Sequence, residues 1–198
     1  MEDIYKTIVT VSKAVYTEKR SKFIAYAIPV QSVEQVKEEI DKLRKEFYDA
    51  RHVCWAYMIG AERNEFRAND DGEPSGTAGK PILGQINSNE LTDILVAVVR
   101  YFGGIKLGTS GLIVAYREAA AEVISMTEMV EKTVDCEVLF GFEYPFMNDV
   151  MKIVKDMNPI IVDQVYDMDC YMTLRIRKSR FEEMKSKLEK VESYKLVE

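Results

Sequence analysis

The sequence predicts an α+β protein made of two domains. Stretches with the two-residue alternation of β-strands lie between stretches with the three- and four-residue spacing of amphipathic helices. The composition changes in the polar segment TEMVEKT, residues 127–133, and the elements after it follow a regular order. We therefore expect an N-terminal domain over residues 1–130 and a C-terminal domain over residues 131–198, joined by that segment as a linker.

Composition and charge narrow the class of protein. Of the 198 residues, 47% are hydrophobic and 30% are charged, which suits packed cores rather than disorder. The formal net charge of −6 argues against general attraction to nucleic acid or anionic lipid, so RNA contact would need a local patch. The three cysteines form no CxxC pair, which disfavours a disulfide framework or a structural zinc site. With no signal-peptide pattern and no apolar run of membrane-spanning length, we expect a cytoplasmic protein without a membrane partner.

The first predicted elements are two strands and a helix. Residues 6–11 and 22–30 have the composition of strands, and the charged TEKRSK between them is expected to be a turn. Ser32 and Gln35 match a capping box, in which each side chain accepts a hydrogen bond from a backbone N–H group at the helix start. The helix that follows has one apolar face, formed by Val33, Val36, Ile40, Leu43 and Phe47.

Three strands and two helices complete the predicted N-terminal domain. Residues 52–59 form a strand, and GAERNEF turns the chain into a second strand at the sheet edge. Residues 94–102 are apolar on both faces, which is typical of a strand in the middle of a sheet. The helices are expected to run from Thr77, as the N-cap residue, to about Asn87, and from Thr109 or Ser110 to about Met126.

The C-terminal domain is predicted to have a ferredoxin-like fold. Alternate residues from Cys170 to Ile176 are apolar, as in a strand with one buried face. Ser179 and Glu182 match a capping box at the start of a last helix. The predicted order βαββαβ defines an antiparallel sheet with two helices on one face. The expected strands are 134–142, 160–166, 170–177 and 194–197, and the helices are 145–157 and the segment from 179.

The segment GGIKLGTSG, residues 103–111, is a candidate anion site that we call the glycine loop. It lies between a buried strand and an apolar helix, where unpaired N–H groups and the helix dipole favour an anion such as phosphate. Lys106, Thr109 and Ser110 could add hydrogen-bond donors. The spacing does not match the Walker pattern GxxxxGK[ST]. The alternative is that the glycines only allow tight turns with positive φ, and both interpretations stay open.

The segment NDDGEPSGTAGKPILG, residues 69–84, is a second candidate that we call the acidic turn. Its carboxylates, Asp70, Asp71 and Glu73, could hold Mg²⁺, which prefers oxygen ligands, and a metal beside an anion site would suit phosphoryl transfer. The alternative is turn chemistry, in which aspartate accepts hydrogen bonds from backbone N–H groups and Gly72 supplies a positive φ. We favour turn chemistry and expect no metal.

Cationic and aromatic residues near the glycine loop also have two interpretations. Arg100 and Arg117 flank the loop and could contact phosphate or carboxylate, or could be solvated. Tyr101 and Phe102 could stack on a base, but aromatic residues that end a central strand more often belong to the core. His52 is the only histidine and has no assignable catalytic partner, so we expect a packed or hydrogen-bonded structural residue.

The acidic turn and the glycine loop together resemble a known family. DDGEPSGTAGKPIL followed by VVRYFGGIKLGTSGLIVAY is similar to the signature of the IMPACT/YigZ family over about residues 15–125, and residues 134–198 resemble the small C-terminal domain of its bacterial members. The resemblance implies an N-terminal fold like domain IV of elongation factor G, shared with the GHMP kinases, and a C-terminal fold like its ferredoxin-like domain V. It also implies a link to translation, because eukaryotic relatives are translational regulators that bind a ribosome-associated activator of an initiation-factor kinase.

Two classes of function follow, of which we favour the first. In the first, the protein binds RNA, the ribosome or a translation-associated protein through these two segments, with an anion or phosphate at the helix start. In the second, it is a small-molecule phosphotransferase or phosphate-binding enzyme in which Asp71 or Glu73 supplies a metal ligand or a base. The small C-terminal domain offers no second wall for a substrate cleft, which favours binding. Because no nucleophile–base pair can be assigned, we expect no catalytic residue, and we also expect no cofactor or metal. The predicted binding residues are Asp70, Asp71, Glu73, Ser75, Thr77, Lys80, Arg100, Phe102, Gly103, Gly104, Lys106, Gly108, Thr109, Ser110 and Arg117.

Overall fold

The computed structural model describes residues 3–197, which divide into two compact units. One unit is Tyr5–Lys132. The other contains the described residues from Thr133 onward together with Asp3 and Ile4. Strands and helices are present in both units, so the predicted α+β class with two units is confirmed.

Strands and helices alternate along the chain, and their bounds are as follows. The strands are β1 (Ile4–Ile8), β2 (Ser12–Glu18), β3 (Ser21–Pro29), β4 (His52–Ile59), β5 (Glu65–Asn69), β6 (Ile94–Tyr101), β7 (Met129–Thr133), β8 (Asp135–Glu143), β9 (Ile160–Tyr166), β10 (Asp169–Arg177) and β11 (Lys195–Val197). The helices are α1 (Val33–Glu46), α2 (Gly79–Ser88), α3 (Gly108–Ser125), α4 (Met147–Met157) and α5 (Lys178–Leu188), with a 3₁₀ turn over Tyr144–Phe146.

The Tyr5–Lys132 unit is built on a five-stranded antiparallel sheet with the order β2-β3-β6-β4-β5. The middle strand β6 is buried along almost its whole length, from Ile94 to Arg100. This confirms the prediction that its run of apolar residues forms a central strand, since such a strand has helices on both faces. The ends of β6 are therefore held in place by neighbours on every side.

The two faces of this sheet form separate hydrophobic cores. On one face Leu95, Ala97 and Val99 pack with the apolar side of α1. On the other face Val96 and Val98 pack with α2 and α3. Alternate residues of a strand point to opposite faces, so β6 contributes to both cores. Ala115, Ala119 and Ala120 of α3 are buried, which lets the helix lie close to the sheet.

The start of α1 differs by one residue from the predicted capping box. Ser32 is the N-cap residue, and its Oγ accepts a hydrogen bond from Gln35 N at 3.3 Å, as predicted. Gln35 Oε1 accepts from Gln31 N at 2.7 Å, one residue earlier than a capping box requires. The helix start is thus stabilised at two backbone donors by side chains from the predicted pair.

Two predictions near the ends of this unit need correction. The turn expected over TEKRSK is present but is confined to Lys19 and Arg20, which both have positive φ, and the strand β2 before it was not predicted. β2 is an edge strand with mostly polar exposed residues, so its alternation is weak in sequence. The segment expected to be a linker contains β7, which pairs with β1 in a two-stranded sheet.

The second unit has the ferredoxin-like topology that the sequence predicts. Its antiparallel sheet has the order β11-β8-β10-β9, and the buried residues of β8 and β10 pack against α4 and α5. Cys170, Met172 and Leu174 are fully buried, as their alternation predicts. The hydrophobic periodicity therefore sufficed to predict this fold.

The start of α5 is a correction to the predicted capping box of Ser179 with Glu182. The N-cap position is Arg177, which makes no side-chain cap hydrogen bond. Asp3 takes this role instead, because its Oδ2 accepts from Ser179 N at 3.1 Å and lies 3.2 Å from Arg177 Nε. The hydrogen bonds from Ser179 are the largest influence on Asp3, and they lower the pKa of its carboxyl group.

Candidate functional site

A cavity of 790 Å³ in the Tyr5–Lys132 unit is the candidate functional site. Glu73 and Pro74 of the acidic turn line it, and so do residues 106–109 of the glycine loop. Its lining also includes the end of β6 and the start of β4. The basic side chains in the lining are Arg51, His52, Arg100 and Lys106.

Sheet register explains why these segments meet. β4 begins at His52, which pairs with Arg100 near the end of the antiparallel neighbour β6. The acidic turn directly follows β5, whose residue Asn69 pairs with Trp55 of β4. The glycine loop directly follows β6. The start of β4 and the end of β6 therefore lie at the same end of the sheet. The acidic turn after β5 and the glycine loop after β6 begin at that end too.

A buried ion pair lies in the wall of the cavity. Arg100 Nη1 donates to Glu73 Oε1 at 2.6 Å, and the two side chains are only 9% and 3% exposed. Tyr116 of α3 donates its hydroxyl hydrogen to the same oxygen at 2.7 Å. The Arg100 guanidinium also lies 5.7 Å from the ring centre of Phe23 and 5.9 Å from that of Phe102. Hydrogen bonds and counter-charge are what permit such charges to be buried.

Cys54 and Tyr116 extend this buried cluster away from the cavity. Cys54 Sγ lies 3.0 Å from the carbonyl oxygen of Asp70, to which it donates, and 3.4 Å from the Tyr116 hydroxyl. Burial raises the pKa of both groups, and the nearby Glu73 carboxylate raises them further. The Cys54 thiol therefore stays protonated and is not an activated nucleophile.

Asp70 caps α2 rather than facing the cavity. Its Oδ1 accepts from Ala78 N and Gly79 N at 3.0 and 2.8 Å, and its Oδ2 accepts from Gly76 N at 2.8 Å. Burial raises the pKa of this carboxyl group, but the backbone hydrogen bonds together outweigh it and leave the pKa lowered. The carboxylate thus satisfies amides at a helix start, which is turn and cap chemistry.

Asp71 is also engaged within the protein. Its Oδ1 accepts from Arg44 at 2.8 Å, and its Oδ2 accepts from Val53 N at 2.7 Å. Its carbonyl oxygen lies 2.8 Å from His52 Nδ1 and can only accept, so Nδ1 carries the proton. His52 is hydrogen bonded, as predicted, and in addition it lines the cavity.

The glycine loop has the positive φ values expected of tight turns, and it leads into a helix without a side-chain cap. Gly104 and Gly108 have φ of +87° and +72°, which favours glycine. Gly103 lies against the β2–β3 turn so closely that an added Cβ would be 2.0 Å from the carbonyl carbon of Arg20. The helix α3 that follows has Leu107 at its N-cap and no side-chain cap hydrogen bond. Its first amide groups are therefore not capped by a side chain.

Tyr101 and Asp49 form another part of the lining. The Tyr101 hydroxyl donates to Asp49 Oδ1 at 2.7 Å. This hydrogen bond, together with desolvation, raises the pKa of Tyr101 to about 12. Asp49, Arg51 and Tyr116 were not among the predicted site residues. Tyr116 was detectable, because Gly108, Leu112 and Tyr116 follow each other at helical steps of four and share one face.

The predicted site residues fall into two groups. Those that line the cavity are Glu73, Arg100, Phe102, Lys106, Gly108 and Thr109. Those that do not are Asp70, Asp71, Ser75, Thr77, Lys80, Gly103, Gly104, Ser110 and Arg117.

The second group has other surroundings. Thr77 is buried and donates its hydroxyl hydrogen to the Pro74 carbonyl at 2.6 Å; the N-cap of α2 is Ala78, so the prediction that Thr77 is the N-cap is wrong. Ser75 and Lys80 are exposed. Arg117 is exposed, and its Nε lies 3.7 Å from Glu118.

Comparison with known proteins identifies the family of this chain. The family model of the Impact N-terminal domain matches the sequence over residues 19–124, a range that includes the acidic turn and the glycine loop. The chain belongs to the IMPACT family, which confirms the resemblance seen in its sequence. In residues 3–197, no helix combines the length and the hydrophobicity that crossing a membrane requires.

Relatives match the chain to different extents. An IMPACT family member of Haemophilus influenzae is 32% identical over 96% of this chain and 94% of its own length. The family member YvyE of Bacillus subtilis is 43% identical over 58% of this chain, and the match spans about half of YvyE (52%). A crystal structure described as that of a hypothetical protein covers 100% of this chain and 98% of its own, with 29% identity and a TM-score of 0.73.

Proposed function

We propose that the protein is a translation-linked RNA-binding protein that takes part of a single strand into the cavity. One observation carries the proposal: basic side chains from three segments line one cavity together with an exposed aromatic ring. Membership of the IMPACT family supports the link to translation, because the family resemblance implies such a link. The single strand in this proposal can be free RNA or RNA bound to the ribosome.

Local charge favours a phosphate group in the cavity. Arg51, Arg100, Lys106 and His52 lie in its lining with two carboxylates, Glu73 and Asp49. Glu73 is paired with Arg100, so these two charges compensate each other, and the charges of Arg51 and Lys106 remain against that of Asp49. The dipole of the 18-residue helix α3 adds partial positive charge at its start, where Gly108 and Thr109 line the cavity. These local contacts can attract phosphate even though the whole chain is acidic.

Phe102 supports a nucleic acid rather than a simple anion. Its side chain lines the cavity and is 59% exposed, which is unusual for a large aromatic residue at a strand end. The Arg100 guanidinium lies against one side of the ring. An exposed aromatic ring beside an arginine is a platform on which an unpaired base can stack.

The alternative function, a phosphotransferase, is not supported by the surroundings of its candidate metal ligands or bases. Asp71 and Glu73 were the candidates for a metal ligand or a base. Asp71 accepts hydrogen bonds from Arg44 and Val53 N, and Glu73 accepts them from Arg100 and Tyr116. Carboxylates held in this way are positioned for structure rather than for proton transfer to a substrate.

Salt dependence tests this function. Binding of single-stranded RNA to the full chain is measured by fluorescence anisotropy over a range of salt concentrations. Three or four neutralised phosphates give a slope of log K against log salt of about −2 to −3, and Lys106→Ala reduces its magnitude by about 0.7. Arg117→Ala is the matched control, since Arg117 is exposed but does not line the cavity.

Two results would contradict the proposal. One is the absence of RNA binding at low salt. The other is an equal loss for Lys106→Ala and Arg117→Ala, because the cavity would then have no special part in binding. Association with ribosomal proteins that is insensitive to salt would favour a protein partner instead.

A further inference from the structure

Arg100 lines the cavity and has a buried donor without a protein partner in the part of the chain that the structure describes. Its Nη1 donates to Glu73, whereas its Nε is buried and has no hydrogen-bond partner within residues 3–197. Buried donors without a partner are uncommon in folded proteins and call for a specific explanation, such as an ion or a ligand. Nε and Nη2 form the guanidinium edge that binds two oxygens of an oxyanion side by side. Glu73 thus holds Nη1, and the Nε donor on the other side of the group has no protein partner among residues 3–197.

Further donors come from the glycine loop. Gly108 and Thr109 are the first residues of α3, and both line the cavity. Their helix has no side-chain cap, so its first N–H groups favour an anion. Lys106 and Thr109 are exposed, and neither side chain has a hydrogen-bond partner in the described part of the chain. The cavity therefore combines an arginine edge, a helix start, an ammonium group and a hydroxyl group.

This set of donors suits a phosphate monoester better than a phosphodiester. A monoester has three terminal oxygens and close to two negative charges at neutral pH, whereas a diester has two such oxygens and one charge. The Arg100 edge can take two oxygens, and the start of α3 with Thr109 can take the third. A phosphate within a strand would leave part of this set unused.

The size of the cavity and the position of Phe102 suit a single nucleotide. A volume of 790 Å³ lies within the range of about 300–1,000 Å³ that is usual for small-molecule sites. Phe102 is next to Arg100 in the fold, so a base attached to a phosphate on Arg100 can reach the ring.

Building on the RNA-binding function proposed above, we infer that the cavity binds a nucleoside 5′-monophosphate group. The terminal phosphate lies between Arg100 and the start of α3, and the base stacks on Phe102. The same group occurs at the phosphorylated end of an RNA strand and in a free nucleotide. In this molecule the RNA end is the ligand that connects the cavity to the proposed function.

The test compares two RNAs that differ only in the terminal phosphate. One single-stranded sequence is labelled at its 3′ end and prepared with a 5′-phosphate or a 5′-hydroxyl group, and binding to the full chain is followed by anisotropy. We expect the phosphorylated strand to bind at least about tenfold more tightly, as an added charge-assisted hydrogen bond can provide. AMP and adenosine are then used as competitors, and only AMP should displace the strand.

Variants separate the cavity from general charge effects. Lys106→Met and Thr109→Val should reduce the preference for the phosphorylated strand to about twofold or less. Both side chains are exposed, so these variants should fold normally. Lys80→Met and Arg117→Met remove exposed charges that do not line the cavity and should keep the preference.

The outcomes distinguish this inference from the proposed function. Equal binding of both strands overturns the inference and leaves RNA binding intact. Binding of AMP, weakened by Lys106→Met, without binding of either strand supports the nucleotide cavity and overturns the RNA function. If neither strand nor AMP binds, both are overturned.

Discussion

The acidic turn and the glycine loop are both rich in glycine and polar residues, yet they use their polar groups in opposite ways. In the acidic turn Asp70 accepts from three backbone amides, and Asp71 and Glu73 each accept from two protein groups. In the glycine loop Lys106 and Thr109 are exposed and have no such partner among the described residues. The acidic turn builds the wall of the cavity, and the glycine loop leaves its donors free.

This difference follows from burial rather than from composition. The Glu73 side chain is buried where an unpaired charge would be unfavourable, so the fold supplies it with partners. Lys106 lies in water and needs none. We therefore expect substitutions of the acidic-turn carboxylates to change stability, and those of the exposed Lys106 and Thr109 side chains to change binding.

The largest effect on stability is expected for Glu73→Gln. The substitution leaves the buried Arg100 guanidinium without a counter-charge and should lower the free energy of unfolding by about 3 kcal/mol. Urea denaturation followed by the fluorescence of Trp55, the only tryptophan, reports on this unit. Glu118→Gln is the control, since Glu118 is 49% exposed and pairs with Arg117 at 3.7 Å, and should change stability by less than about 0.5 kcal/mol. Similar losses in the two variants would contradict the comparison.

Gly103→Ala tests a part of the glycine loop that we expect to be structural. The new Cβ would lie 2.0 Å from the Arg20 carbonyl carbon, so the backbone must shift, at a loss of about 2–3 kcal/mol. Thermal unfolding of this variant is compared with that of Gly84→Ala, because Gly84 lies in α2 with nothing within 4 Å of an added Cβ. Gly84→Ala should be neutral or stabilising by up to about 1 kcal/mol. A stable Gly103→Ala protein would show that the contact with the β2–β3 turn is dispensable.

Asp70→Asn should have a smaller effect that depends on pH. Backbone donors hold the folded pKa below the ordinary value of 3.8, so the ionised carboxylate stabilises the fold above that pH. Near neutral pH the variant should be less stable by about 1–2 kcal/mol, as for a lost helix cap. The difference should shrink as the pH falls through the folded pKa, because the wild-type carboxylate is then protonated. Denaturant curves at several pH values measure this, and a difference that does not change with pH would contradict it.

Phe102→Ala should leave stability almost unchanged and weaken binding. The ring is 59% exposed, so the loss of stability should be below about 0.5 kcal/mol, whereas RNA affinity should fall about tenfold if a base stacks there. Anisotropy with single-stranded RNA measures the affinity. Phe66→Ala is a matched control, since Phe66 is 56% exposed on β5 and does not line the cavity. An unchanged affinity for Phe102→Ala would exclude stacking on this ring.

Most of the fold follows from local patterns in the sequence. The apolar run of β6, the amphipathic face of α1 and the alternation within β10 each reflect contacts made by a single element. Periodicity detects such elements without knowledge of their partners. The strand β2 was missed because it lies at a sheet edge and alternates only weakly. The segment 127–133 was taken for a linker because polar composition does not distinguish an exposed strand from a loop.

The site was less accessible to sequence analysis, because its key contacts are distant along the chain. Glu73 is 27 residues from Arg100 and 43 residues from Tyr116. The glycine loop was identified because glycines and polar residues adjoin an apolar helix. Which carboxylates are occupied by protein donors depends on tertiary structure, so it could not be derived from composition.

The pairing of β1 with β7 has a practical consequence for protein engineering. These strands bring Tyr5 and Lys132 into one two-stranded sheet, while Asp3 belongs with the residues from Thr133 onward and caps α5. The Tyr5–Lys132 unit thus has the connectivity of an inserted cassette: the residues before and after it belong to the other unit, and its first and last residues lie in two paired strands. Such a cassette can be excised and replaced by a short linker, or grafted into a surface loop of an unrelated host. A fragment that simply starts at residue 131 would instead lose the carboxylate that caps its last helix.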